Sequence, residues 1–274
     1  MKQFTNLVKL GSAAIAILAG NALFAEESAV LNPKTNSEWL CNWSDKATNL
    51  TAVEAENALV CKGNSTMVSK AAIKLDPEKS YKISGFFKLA ADSKPAKFYL
   101  GIMPLDDKAR PISSASVGAI DGTDTELAAD CNPEDMVVKI KNGEKWKPET
   151  YGMIAFSTDD SGKKADLPNK ELSGWNIVKI EKNGDVFDVM LKNKCGKKYP
   201  AGTKVREHKS GRTYIYLGAI NKDVSADWAE SSAAFKKASF WPGTCSGKII
   251  ILANFGGKPD QVMMIKDVKL EEVK

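Results

Sequence analysis

One histidine, His208, is all that the 274 residues contain. A hydrolytic triad needs a base beside its nucleophile, so such a site would have to be built at that one position. The stretch "GTCSG", residues 243 to 247, has the spacing of a nucleophile elbow with Cys245 at its centre. That motif requires a strand before it and a helix after it. Here Trp241-Pro242 precedes it and the strand-like "KIIILANF" follows, so the stretch reads as a turn entering a strand. Neither CxxC nor a Cys/His spacing of the zinc-binding kind occurs. Nor does an E-x-D-x-E or E-x-D-x-x-E run, the strand-borne carboxylate set of one class of glycoside hydrolase, in which two acids flank the scissile bond. No phosphate-binding glycine loop or nucleotide fingerprint is present.

Charge of one sign is also scarce. The formal net charge is +5, and removal of Lys2 and Lys9 with the N-terminal leader lowers it to about +3. That excess is too small to imply a nucleic-acid partner. The only long apolar stretch runs from Leu10 to Leu18, preceded by Lys2 and Lys9 and followed by Ala25 ahead of Glu26 and Glu27. It is shorter than the ~20 residues a bilayer span needs. A basic start, an apolar middle and a small residue before the cut are the pattern of a secretory signal. The expectation is therefore an exported protein (periplasmic, cell-surface or secreted) with residues 1–25 as signal peptide, residues 26–274 as one mature domain and no transmembrane segment.

Cysteine is sparse and odd in number: Cys41, Cys61, Cys131, Cys195 and Cys245. Export permits oxidation, and an odd count leaves at least one thiol unpaired within the chain or available to a protein partner. Cys41 and Cys61 lie in two short apolar runs, "EWLCNW" and "ALVCKG", readable as neighbouring strands. They are the expected disulfide.

What the chain does have is strand. Few stretches show a helical period. Eleven short β-rich runs, from "TMVSKAAIKL" to "QVMMIKDVKL", are bounded by Gly, Pro, Asn and Asp. In "YKISGFF" the set Tyr81, Ile83, Gly85 and Phe87 faces one way, the period-two sign of one buried and one wet face. So many short strands predict an all-β antiparallel sandwich or barrel. Asn183-Gly184 marks a hairpin. Ser210-Gly211, inside "KVREHKSGRTYIY", marks another, which would place Arg206, His208, Tyr214 and Tyr216 close together. Residues 104 to 135 carry eight acids and two bases. They read as a long acidic surface loop without the EF-hand ligand spacing.

Two chemistries fit these residues. Sugars are bound by aromatic faces, with polar side chains taking the hydroxyls. Trp146 and Trp228 have polar neighbours in "GEKWKPET" and "SADWAESS", and join Arg206, His208, Tyr214 and Tyr216 as candidate ligand contacts. Trp175 is a further aromatic of this kind, while Trp241 in "SFWPGT" reads as packing at a strand corner. His208 has a second reading, as a structural hydrogen-bonding residue. The other chemistry is polysaccharide cleavage by a lyase, which would use the same Arg206/His208/Tyr214/Tyr216 hairpin. A structural cell-surface protein, binding only other proteins, is the third class.

The strings "IKLDPEKSYKISGFFK", "AGTKVREHKSGRTYIY", "FWPGTCSGKIIILANF" and "IKDVKLEE" resemble exported jelly-roll domains of the carbohydrate-binding-module and galactose-binding-like type, over roughly residues 59 to 273. The resemblance implies a jelly-roll-type antiparallel β-sandwich that binds a polysaccharide or oligosaccharide without cleaving it. It also implies a structural calcium between the first and last strands, with Asp267 matching the closing aspartate of such a site and Glu38 standing where an N-terminal acid would be needed.

Overall fold

A computed structural model describes residues 28–31, 38–44, 46, 48–148, 151–174, 176–216 and 222–273. The leader, Ala25 and Trp175 lie outside the described residues. The first part of the chain supplies β1 (Ser28–Leu31), β2 (Trp39–Cys41), β3 (Leu50–Val53), β4 (Ala58–Lys62), β5 (Ser65–Ser69), β6 (Ile73–Lys74), β7 (Ser80–Leu89) and β8 (Lys97–Leu105). The middle adds a short helix α1 (Ser114–Val117), then β9 (Thr125–Glu126), β10 (Val137–Ile140), β11 (Gly152–Phe156), β12 (Ile177–Asn183), β13 (Val186–Leu191) and β14 (Lys204–Lys209). The last part gives β15 (Ile215–Tyr216), β16 (Lys222–Asp223), β17 (Ala229–Phe235), β18 (Ser246–Ala253) and β19 (Val262–Val273). No described helix is long and apolar enough to cross a membrane.

The first and last parts make an antiparallel β-sandwich. One sheet has the order β17-β7-β19-β4-β3, with β1 also on β19; the other has β15-β8-β18-β5-β2, with β16 on β8 and β6 on β18. Alternation decides what each strand buries. Tyr81, Ile83 and Phe87 of β7 meet Phe98, Leu100 and Ile102 of β8 and Ile249 and Ile251 of β18 in the principal core. Phe87 and Phe98 stack across the layers, with ring centroids 3.9 Å apart. Each such side chain contributes about 1.5–3 kcal/mol through removal from water. The inward set of β19 is Met263, Ile265, Val268 and Leu270. The skipped beat after Ile265 is a β-bulge between Lys266 and Lys269, where Asp267 has φ 50. An extra residue on one strand restores the alternation.

The middle part is an insertion between β8 and β15 with a core of its own. Two three-stranded sheets, β10-β13-β12 and β11-β14-β9, enclose Leu127, Val138, Ile140, Trp146, Ile154, Phe156, Val189, Tyr199 and Val205. The expected Asn183-Gly184 hairpin is there: β12 and β13 pair up to Asn183 opposite Val186, with Gly184 at φ 63. Two expectations need correction. Residues 104 to 135 are not a bare surface loop; they contain α1 and β9 and bury Ile112, Ala115, Leu127 and Cys131. And β14 does not form a hairpin with β15. It pairs with β11 and β9, whereas β15 pairs with β8. Residues 210 to 214 are therefore the crossing from insertion to sandwich. The turn chemistry is real, but it turns the chain between sheets.

Candidate functional site

The correction divides the expected constellation. On β14, Val205 faces the insertion core, and Arg206 and His208 point to the opposite side of the strand. Both are fully buried, as is Glu207 between them. A guanidinium has five N–H donors and no acceptor. Its Nε and Nη2 lie 3.2 and 3.1 Å from His208 Nε2, so that nitrogen is an acceptor. His208 Nδ1 then carries the proton and donates to the Ala115 carbonyl of α1 at 2.6 Å. Burial, helped by the positive charge of Arg206, holds the imidazole neutral, with its pKa pushed down to about 4 against the pull of the Ala115 carbonyl.

Arg206 is compensated on its other edge. Nη2 donates to Asp166 Oδ2 at 2.8 Å and Nη1 to Asp124 Oδ1 at 3.4 Å. Burial works to raise the Asp166 pKa. Donation from Asn169 and the Asp159 amide, with the charge of Arg206, outweighs it and brings the carboxyl below its usual range. The triad of Arg206, His208 and Asp166 is thus a sealed fastener that holds α1 and the loop around Asp166 to the insertion sheet. Arg206 and His208 present nothing to solvent.

A cleft does open on the outer side of α1. It has a volume of about 600 Å³ and is lined by α1 through Ser114 and Val117, by Lys209 at the end of β14, by Arg212 of the crossing, and by Trp241-Pro242. Its walls are fixed by backbone bonds: Ser114 N–H to Arg212 O at 2.9 Å, Lys209 N–H to Gly118 O at 2.9 Å. Gly118 permits that approach, since a Cβ there would lie 2.5 Å from Lys209 O and 2.6 Å from Ser114 O. Trp241 packs one side against the sandwich core and is held by a turn in which its carbonyl accepts from Thr244 Oγ1 at 2.6 Å. Ser114 Oγ is buried without a protein hydrogen-bond partner. The cleft therefore offers an aromatic ring, the Ser210 hydroxyl and two cationic side chains.

The remaining expected residues fall elsewhere. Trp146, a candidate ligand contact by its polar neighbours, is instead buried in the insertion core with Nε1 donating to Thr123 O at 2.8 Å. Its polar sequence neighbours are not its spatial neighbours. Trp228 is half-buried beside the first sheet. The ammonium groups of Lys266 and Lys88 sit 4.2 and 5.1 Å from its ring centroid, and Glu56 accepts from Nε1 at 3.1 Å. Tyr214 packs on the outer face of the second sheet beside Val68, Met103, Leu105, Ile250 and Leu252. Tyr216 pairs with Gly101 through its backbone, and its side chain lies outside the described residues. The calcium expectation finds no support in the donor set. Asp267 sits on the bulge, and no group of three or more His, Cys, Asp or Glu side chains among the described residues could hold a metal. The Cys41–Cys61 disulfide is not formed in the structure, where both residues are thiols.

Trp241 packs against the sandwich core, as its place at a strand corner in the sequence implied, and it also lines the cleft.

No family model matches the chain, and no curated protein matches it. Two solved structures from Paenibacillus barcinonensis Xyn10C are similar. The CBM22-1 xylan-binding domain is 8% identical with a TM-score of 0.37, over 90% of this chain and 93% of that one. The N-terminal CBM22-1–CBM22-2 tandem is 10% identical with a TM-score of 0.38. It is matched over 95% of this chain, which spans 48% of the tandem's length. In fold, this chain is an antiparallel β-sandwich. That statement rests on its own sheets and core.

Proposed function

We propose that the protein is exported, with cleavage near Ala25, and binds a polysaccharide or oligosaccharide without cleaving it. The observation that carries this reading is the cleft between α1 and Trp241. Ligand sites are concave, mostly apolar, and set by a few polar groups, typically within about 300–1,000 Å³; this cleft has about 600 Å³, one indole and a small set of hydroxyl and cationic donors. An indole stacks on the C–H face of a sugar ring. Lys209, Arg212 and Ser210 supply donors to ring and hydroxyl oxygens. His208 takes no part, because both of its nitrogens are engaged behind the cleft wall. A base in that position has no proton to reach on a glycan.

Titration calorimetry with a panel of soluble polysaccharides, neutral and acidic, tests the reading. The parent is expected to bind at least one with Kd between about 1 μM and 1 mM. Trp241→Ala is expected to weaken that binding about tenfold or more through loss of the stacked ring. No binding across the panel refutes the function. A loss in Trp228→Ala with none in Trp241→Ala would move the site to the first sheet and refute the assignment. Release of an unsaturated product, seen as rising ultraviolet absorbance, would replace binding with lyase chemistry.

A further inference from the structure

The sandwich core contains one cysteine pair and the insertion core a second. Cys41 is the inward residue at the end of β2, and Cys61 is, with Leu59, an inward residue of β4 in the facing sheet. Asn49 ties them together: Cys41 Sγ donates to Asn49 Oδ1 at 3.4 Å, and the next residue, Leu50, stands opposite Cys61. In the insertion, Cys131 pairs with Tyr199 through N–H···O bonds of 2.8 and 2.9 Å. Cys195 N–H donates to Asp135 O, and Gly196 N–H to Pro133 O, each at 2.8 Å. These bonds clamp the 131–135 and 195–199 segments side by side, with both sulfurs in the insertion core. Within each pair one thiol acts on the other: Cys41 pushes the Cys61 pKa up, and Cys195 does the same to Cys131.

We propose that Cys41–Cys61 and Cys131–Cys195 are two disulfide sites, one stapling each core, and that Cys245 is the thiol left over. Each bridge closes by exchange with a small disulfide oxidant. The thiolate of one cysteine attacks a sulfur of the oxidant, forming a mixed disulfide and expelling one thiolate. The second cysteine, also as thiolate, attacks the protein sulfur of that mixed disulfide, closes the bridge and expels the other thiolate. Two electrons pass to the oxidant, and the two protons lost by the protein thiols end on the two released thiols. All four sulfurs are buried in the folded chain, at 4% exposure or less. Closure therefore precedes final packing, on the folding chain.

The arrangement divides the work. Cys41–Cys61 closes a loop of about 20 residues and Cys131–Cys195 one of about 64, and the longer loop removes more freedom from the unfolded chain. Cys245 is exposed and has no partner cysteine in contact.

The test is to refold the full chain in a glutathione/glutathione-disulfide buffer and map peptides without reduction. The expected products are the Cys41–Cys61 and Cys131–Cys195 linked peptides, with one titratable thiol per chain at Cys245. None would remain if two chains join through Cys245, which leaves both internal pairs intact. Reduction should lower Tm by roughly 5–10 °C for each staple lost. The double variant Cys131→Ser/Cys195→Ser should retain the first bridge and one thiol. Three or more free thiols in the refolded parent, or any bridge joining Cys245 to one of the other four, would overturn the proposal. The mapping needs no variant, so a folding defect cannot mask the answer.

Discussion

Acid should loosen this protein through His208, and a paired variant isolates the effect. The imidazole is held neutral with a pKa near 4, against about 6.5 for the unpacked side chain. The unfolded chain therefore takes up the proton first. Above about pH 6.5 neither state is protonated at this residue and nothing is lost. Between about 6.5 and 4 only the unfolded state gains a proton, so unfolding becomes progressively easier. Below about 4 both states carry it and the loss levels off. At 1.36 kcal/mol per unit, the full fall is about 3 kcal/mol. The charged and titrating neighbours of the ring are Arg206, Asp166 and Lys164. The Asp166 carboxyl is held below its ordinary value and so titrates below this window. Urea unfolding of the parent and of His208→Gln, which keeps an acceptor for Arg206, should be measured from pH 7.5 to 4.5. The parent is expected to lose about 2–3 kcal/mol more than the variant across that range. A difference that stays constant with pH would refute the buried neutral imidazole and the tautomer assigned to it.

Three further outcomes follow. Gly118→Ala places a methyl against two backbone carbonyls and should destabilise the fold by about 1–3 kcal/mol; near-wild-type stability by denaturant titration would show that α1 does not seat on Lys209. If residues 26–274 are one domain, differential calorimetry should give a single unfolding transition whose calorimetric and van't Hoff enthalpies agree, and separate melting of insertion and sandwich would contradict it. Mass spectrometry of protein expressed with its own leader should find a mature chain that starts at or near Glu26, and a retained Met1 would contradict export by cleavage.

Strands were legible wherever one face is apolar and the other wet. Tyr81, Ile83 and Phe87 on β7 fill the core as their alternation implies, and the eleven β-rich runs are strands or contain one. β17 was missed because "AESSAAF" buries only Ser231 and Phe235, which leaves no apolar face to read. The hairpin at Ser210-Gly211 failed for a different reason. A turn signal fixes the local backbone but not the strand that each arm will pair with, and here the arms belong to different sheets. Side-chain exposure was the least legible property. Trp146 stands among lysines and glutamates in the chain but among Leu127, Ile154 and Phe156 in space. Arg206 and His208 were grouped with Tyr214 and Tyr216 as ligand contacts, whereas in the structure they bond to one another, and Arg206 to Asp166, 40 residues earlier in the chain.

The position of the insertion has a topological consequence. β8 and β15 are antiparallel neighbours, with Ile102 opposite Ile215 and Gly101 opposite Tyr216. The two ends of the insertion therefore leave the sandwich side by side, and everything between them is one hairpin connection grown to about a hundred residues. Lengthening such a connection costs only about 0.6 kcal/mol per doubling. The strand order of the sandwich is indifferent to its size, so the chain could exchange this appendage for a short turn and keep every pairing of the parent sheet. The cleft could not survive that exchange. One wall is the stem of the appendage and the other is Trp241 of the sandwich, so the concavity exists only at their junction.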